Sequence, residues 1–155
     1  KLSKLVARRQ SIGERLSQGL CHLNGLQTPM VRTDSTHAYY VYPMVIDTNQ
    51  LGVNRQRLLE VLSAEGVPVG GGYVNVHLLP MFQQKIAFGS DGFPWTSSFC
   101  RKDIDYSKGI CPVAEWLHDS SYIDLPMCLY DFDDEDVDAL VAGFNKVWNK
   151  LESLR

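Results

Sequence analysis

The sequence predicts an α+β domain: a small antiparallel or mixed sheet of about three strands with flanking helices. Two observations carry this. Apolar residues recur at helical spacing at both ends of the chain, and only a few short runs of branched and aromatic residues lie between them. There is no internal repeat and no low-complexity tract. The 155 residues, 45% hydrophobic and 21% charged, suffice for one domain with its own core.

The elements follow in order. Leu2, Leu5, Val6, Ile12, Leu16, Leu20 and Leu23 recur as on a helix, with Arg8, Arg9, Glu14 and Arg15 on other faces. Gly25 stops that helix and Pro29 follows it. "HAYYVYPMVID", residues 37–47, reads as a strand, and Pro43 within it asks for an edge position or a bulge. Asn54 is the expected N-cap of a helix in "RQRLLEVLSAE", and Gly66 sits where a left-handed C-cap glycine belongs. A short strand is expected over residues 67–71 and another in "YIDLPM". The last helix carries Val137, Leu140, Val141, Phe144, Trp148, Leu151 and Leu154 on one stripe, with acid at its start and Lys146, Lys150 and Arg155 at its end.

Composition excludes several functions. Fifteen Lys and Arg against eighteen Asp and Glu give a net charge of −3 and no basic face for nucleic acid. No apolar run approaches membrane-spanning length, and no membrane partner is expected. Cys21, Cys100, Cys111 and Cys128 have no metal-like spacing, so buried thiols in a reducing cytoplasm are expected rather than disulfides. The opening "KLSKLVARRQ" has neither an initiator Met nor a signal-peptide core, and reads as a helix already under way in a longer chain.

Among chemical motifs, Gly70, Gly71 and Gly72 lack the lysine and the helical start of a phosphate loop. A flexible strand exit or the close approach of another backbone suits them better. "DFDDEDVD" lacks the central Gly and closing Glu of a calcium loop, and Asp133 with Asp136 reads as a helix cap. His22 and His118 read as helix-surface residues, and no histidine spacing suggests a metal. Tyr73, Asn75 and His77 share one side if their segment is extended, which suits a binding surface or plain solvent equally. Residues 85–109 form a long loop containing Phe88, Phe93, Trp95, Phe99 and Tyr106. So many aromatics argue for an ordered loop packed on a ligand, a neighbouring domain or a second subunit.

Taken together, "HAYYVYPMVID", "RLLEVLSAEGVPVGGGY", "VHLLPMF", "CPVAEWLHDSSYIDLPM" and "DFDDEDVDALVAGFNKV" resemble, in this order, the DegT/StrS family of pyridoxal-phosphate-dependent sugar aminotransferases of fold type I. The resemblance spans nearly the whole chain and covers the family's C-terminal small domain. Residues 1–24 then match the helix linking it to the large domain, and residues 25–155 the small domain with its substrate loop.

The resemblance implies a homodimeric cytoplasmic enzyme that aminates a keto-sugar, usually nucleotide-linked, with glutamate or glutamine as donor. Its product would enter surface polysaccharide or a glycosylated natural product. It also implies that pyridoxal phosphate is bound mainly by the large domain, whose Schiff-base lysine precedes residue 1, so that this chain alone is inactive and holds no catalytic residue. By the same resemblance His77 meets the substrate, Tyr73 and Asn75 follow by proximity, and Tyr106, Ser107 and Lys108 belong to the loop. Two other readings stand beside it: a sugar dehydratase of the same family, and a stand-alone α+β binding or regulatory module.

Overall fold

The computed structural model describes residues 1–154. Its helices are α1 (Leu2–Leu20), α2 (Thr48–Leu51), α3 (Arg55–Ala64), α4 (Pro80–Gln84), α5 (Pro112–Trp116) and α6 (Asp134–Trp148). The strands are β1 (Leu26–Gln27), β2 (Tyr42–Ile46) and β3 (Tyr122–Leu125), joined in that order into one antiparallel sheet. The expected α+β class and three-stranded sheet are therefore present. The chain divides into two compact units, Lys1–Gly72 with Ser120–Arg155, and Tyr73–Asp119.

The first unit holds the core. Ile12, Leu16 and Leu20 of α1, Leu58 and Leu62 of α3, and Val137, Leu140, Phe144 and Val147 of α6 join Tyr42, Met44, Ile46, Ile123 and Leu125 of the sheet in one buried cluster. Burying each large side chain of this kind stabilises the fold by about 1.5–3 kcal/mol. Tyr42 keeps its hydroxyl 2.8 Å from Ser17 Oγ. Burial pushes its pKa up to about 12, and the Ser17 hydrogen bond only partly offsets this. Helices α1 and α6 pack closely, and Arg15 of α1 pairs with Asp134 and Asp138. Exposed pairs of this sort contribute little.

The caps are where the sequence puts them. Asn54 accepts from the Arg57 amide at 2.8 Å, and Asp133 and Asp136 form a reciprocal capping box. Gly66 has φ 84° just beyond α3.

The strands differ from expectation in three places, the first being that β1, Leu26–Gln27, is not among the strands expected from the sequence. Only residues 42–46 of the 37–47 run form a strand, and that strand is central rather than at an edge. Pro43 fits because of where its nitrogen points. Its partner Asp124 spends both backbone groups on Gly70, at 2.8 and 2.9 Å, so the Pro43–Asp124 pair exchanges no hydrogen bonds. The proline nitrogen therefore faces the side of β1, which has already ended at Gln27 opposite Val45. Residues 67–71 form no strand and contribute a single bridge, Gly70 to Asp124.

That bridge explains the glycines by close approach. A Cβ on Gly70 would lie 2.6 Å from Asp124 Oδ1, and one on Gly72 would lie 2.3 Å from the Tyr122 ring. Gly72 also has φ 77°, which side chains rarely adopt. Gly72→Ala should therefore lower stability by about 1–3 kcal/mol. The urea midpoint of the variant checks this, and an unchanged midpoint would refute it.

Candidate functional site

The second unit, Tyr73–Asp119, contains almost no regular structure. It has a 3₁₀ turn at Val76–Leu78, the short helices α4 and α5, and a long irregular loop between them. Residues 85–109 carry a bridge between Phe88 and Phe93 and no helix or strand. Among this unit's described residues only Asn75 and Glu115 are buried, and both are polar. Hydrophobic burial alone cannot hold such a segment, so hydrogen bonds set its shape.

Glu115, on α5, is the centre of that bonding. One carboxylate oxygen lies 2.9 Å from His77 Nε2. The amide of Gly109 donates to both oxygens at 2.8 and 2.9 Å, and that of Cys111 donates at 3.3 Å. Burial pushes the Glu115 carboxyl up, but the Gly109 amide, the His77 ring and the Cys111 amide outweigh it and hold the pKa below its usual 4.5. One carboxylate thus ties the end of the long loop to the turn that carries His77. Gln83 makes a second tie, donating to the carbonyls of His77 at 2.8 Å and Tyr106 at 2.6 Å.

These ties enclose an open cavity of about 370 Å³, with Asn75, His77, Phe82, Tyr106, Cys111 and His118 in its lining. Phe82 and Tyr106 pack with ring centres 5.2 Å apart, and Trp95 Nε1 donates to the Tyr106 hydroxyl at 3.1 Å. Asn75 gives its amide nitrogen to Asp119 at 2.9 Å, while its Oδ1 is buried without a partner. An unsatisfied buried acceptor costs about 1–3 kcal/mol and marks a place where a donor would be accommodated.

Of the six residues singled out from sequence, the structure brings Asn75, His77 and Tyr106 to one cavity. Tyr73 is exposed and lies outside the lining. The 3₁₀ turn begins at Val76, so the simple alternation expected for Tyr73, Asn75 and His77 does not continue through His77. Ser107 bonds to Asp105 through its amide at 2.8 Å and its hydroxyl at 2.9 Å, and Lys108 lies 3.3 Å from Asp119. Neither lines the cavity.

Sequence reasoning missed Glu115 and Asp119. The one available signal was a glutamate set among Pro112, Val113, Ala114, Trp116 and Leu117, an apolar setting for a charge. His118 lines the cavity instead of a helix surface. The cysteines are free, but none is buried: Cys21 and Cys128 are exposed, Cys100 and Cys111 partly so. No group of side chains that could hold a metal occurs among the described residues, and no described helix is long and apolar enough to cross a membrane.

The overall fold of this chain is shared with known structures. The chain matches the DegT/DnrJ/EryC1/StrS aminotransferase family over residues 1–105 and belongs to that family. It is 28% identical over 135 residues to an uncharacterized protein of Methanocaldococcus jannaschii, covering 87% of this chain and 30% of the relative. It is 25% identical over 105 residues to the spore coat polysaccharide biosynthesis protein SpsC of Bacillus subtilis, covering 67% of this chain and 27% of the relative.

Among solved structures, the aminotransferase TlmJ of Streptoalloteichus hindustanus superposes with a TM-score of 0.64 at 24% identity, over 95% of this chain and 32% of that one. DesV of S. venezuelae, solved in complex with a ketimine intermediate, gives 0.65 at 17% identity over 92% and 31%. These likenesses show the fold. The chain spans about 30% of the length of the curated relatives it matches.

Acid should loosen this unit first. The folded Glu115 carboxyl titrates below its usual 4.5, so its contribution is complete above that value and is lost as pH falls through the lower folded one. Protection of the Gly109 amide, relative to the intrinsic exchange rate at each pH, should fall over that range before protection in β2 does. Loss of protection at both together would argue against the assignment.

Proposed function

We propose that this chain is the C-terminal small domain of a sugar aminotransferase and supplies part of its substrate site. Residues 1–24 are read as the helix arriving from a large domain, and residues 25–155 as the small domain. Family membership over residues 1–105 carries this reading, with the Asn75–His77–Tyr106 cavity as its local support. The bare start of α1 supports it too, since Leu2 and Leu5 are exposed on a helix whose later turns are buried.

The substrate is read as a keto-sugar, usually nucleotide-linked, with glutamate or glutamine as donor, in a homodimeric cytoplasmic enzyme serving polysaccharide or glycoside synthesis. The match to an aminotransferase family model favours amination over the dehydratase and stand-alone alternatives, and SpsC, a polysaccharide biosynthesis protein by name, favours a polysaccharide as the product's destination.

Pyridoxal phosphate, when bound, stabilises a carbanion next to the transferred nitrogen, and it needs a lysine for its Schiff base and a partner for its ring nitrogen. The residues described do not fit that role. Among the described residues no lysine lines the cavity, Lys108 pairs with Asp119, and Lys102 donates to the carbonyls of Trp95 at 2.9 Å and Ser97 at 2.7 Å. The cofactor is therefore assigned to the large domain. This chain's residues orient the sugar: Phe82 and Tyr106 offer an aromatic wall, and His77 and Asn75 offer polar contacts. Packing against them also removes water from the substrate.

Two measurements test the reading. The isolated chain, treated with pyridoxal phosphate and borohydride, should show no label on a specific lysine by peptide mass spectrometry, and a stoichiometric label would refute the assignment. In the full-length enzyme, His77→Ala should raise KM for the sugar roughly tenfold or more, the loss expected for one polar contact, with little change in kcat. A defect confined to turnover of the amino donor would count against a sugar-binding role.

A further inference from the structure

We propose that Glu115 and Asp119 are positioning residues that set the hydrogen-bonding polarity of His77 and Asn75, leaving an acceptor on each and so fitting that side of the cavity to a neutral, hydroxyl-bearing ligand group rather than to a phosphate. The argument begins with what an ionised carboxylate can do. It accepts hydrogen bonds and donates none. Glu115 already takes the Gly109 and Cys111 amides, and those contacts favour its charged form. The group facing it at 2.9 Å, His77 Nε2, must then carry the proton. In the neutral ring this leaves Nδ1 as a lone-pair acceptor, with no partner among the described residues.

Asp119 acts in the same way on Asn75. Its Oδ1 takes the Asn75 amide nitrogen at 2.9 Å, which fixes the flip of the side chain. The remaining polar atom is Asn75 Oδ1, buried and unpartnered. Both residues line the same cavity.

The charges nearby agree with this polarity. Glu115 and Asp119 are acidic, Lys108 is already paired with Asp119 at 3.3 Å, and among the described residues no lysine or arginine lines the cavity. A phosphate would meet acceptors and negative charge. A sugar ring would instead give hydroxyl protons to the two acceptors and lay its C–H face on Phe82 and Tyr106. This assignment rests on the sugar-aminotransferase reading for its ligand, but the roles of Glu115 and Asp119 do not.

The test uses the full-length enzyme with ¹⁵N-labelled histidine, the His77 signals being assigned by their absence in His77→Gln. The ligand-free protein should show His77 with its proton on Nε2. Glu115→Gln, whose amide oxygen can still accept, should keep that tautomer, and Glu115→Ala should lose it. A ring protonated on Nδ1, or a tautomer indifferent to Glu115→Ala, overturns the positioning role. Should the alanine variant fail to fold, the wild-type tautomer alone still decides the point.

A nucleoside diphosphate hexose should shift His77 Nδ1, and the nucleoside diphosphate alone should not. The reverse result overturns the ligand assignment. Asp119→Ala, which removes the acceptor that fixes Asn75, should raise KM for the sugar severalfold with kcat within twofold. Asp119→Asn, whose amide oxygen can still accept, should keep KM near that of the wild type, and an unchanged KM in Asp119→Ala overturns the role of Asp119. An enzyme that binds neither probe sinks the sugar reading and the ligand assignment with it, while the tautomer still decides the role of Glu115.

Discussion

A buried carboxylate holding two separate pieces of chain is the constraint on which the second unit depends. Between Tyr73 and Asp119 no described apolar side chain is fully buried, so the usual source of order is lacking there. Glu115 supplies it locally, by taking His77 on one side and the Gly109 and Cys111 amides on the other. Such a hub is worth having only when every bond is made, because a half-satisfied buried charge is worse than none. It also makes shape and chemistry inseparable: the group that closes the loop is the group that faces the histidine.

The first unit follows a different logic. Its helices and sheet share one apolar cluster, and its polar groups act at ends and edges, as caps and strand pairs. The three glycines belong to this unit, and at two of them a neighbour lies too close for a Cβ. Asp124 shows the same economy, with its backbone spent on Gly70 and its side chain buried, where burial raises its pKa.

Much of the first unit was legible in the sequence because its determinants are local. The α6 stripe, the Asp133–Asp136 box and the Asn54 cap each rest on residues a few positions apart. The strand ending at Ile46 was legible, but its start was not, because Tyr39 and Tyr40 carry strand-like side chains on a backbone that leaves the extended region at Tyr39, with φ 47°. The second unit was legible only in its outline as a long aromatic loop. The bonds that shape it join residues far apart in sequence, His77 with Glu115 and Asn75 with Asp119, and no periodicity encodes them. His77 and Asn75 could be picked out by chemistry and resemblance; the carboxylates behind them could not.

The loop is fastened near its base and bare at its tip. Gln83 grips Tyr106 and Glu115 grips Gly109, while Phe88 and Phe99 stand largely in solvent. A segment clamped this way behaves like an interchangeable cartridge. Lengthening or shortening the tip would add little closure entropy, since that term grows only with the logarithm of length. Descendants of such a scaffold could diversify what they grasp by editing residues 88–93, ahead of the Trp95–Tyr106 contact, leaving the clamp and everything beneath it untouched.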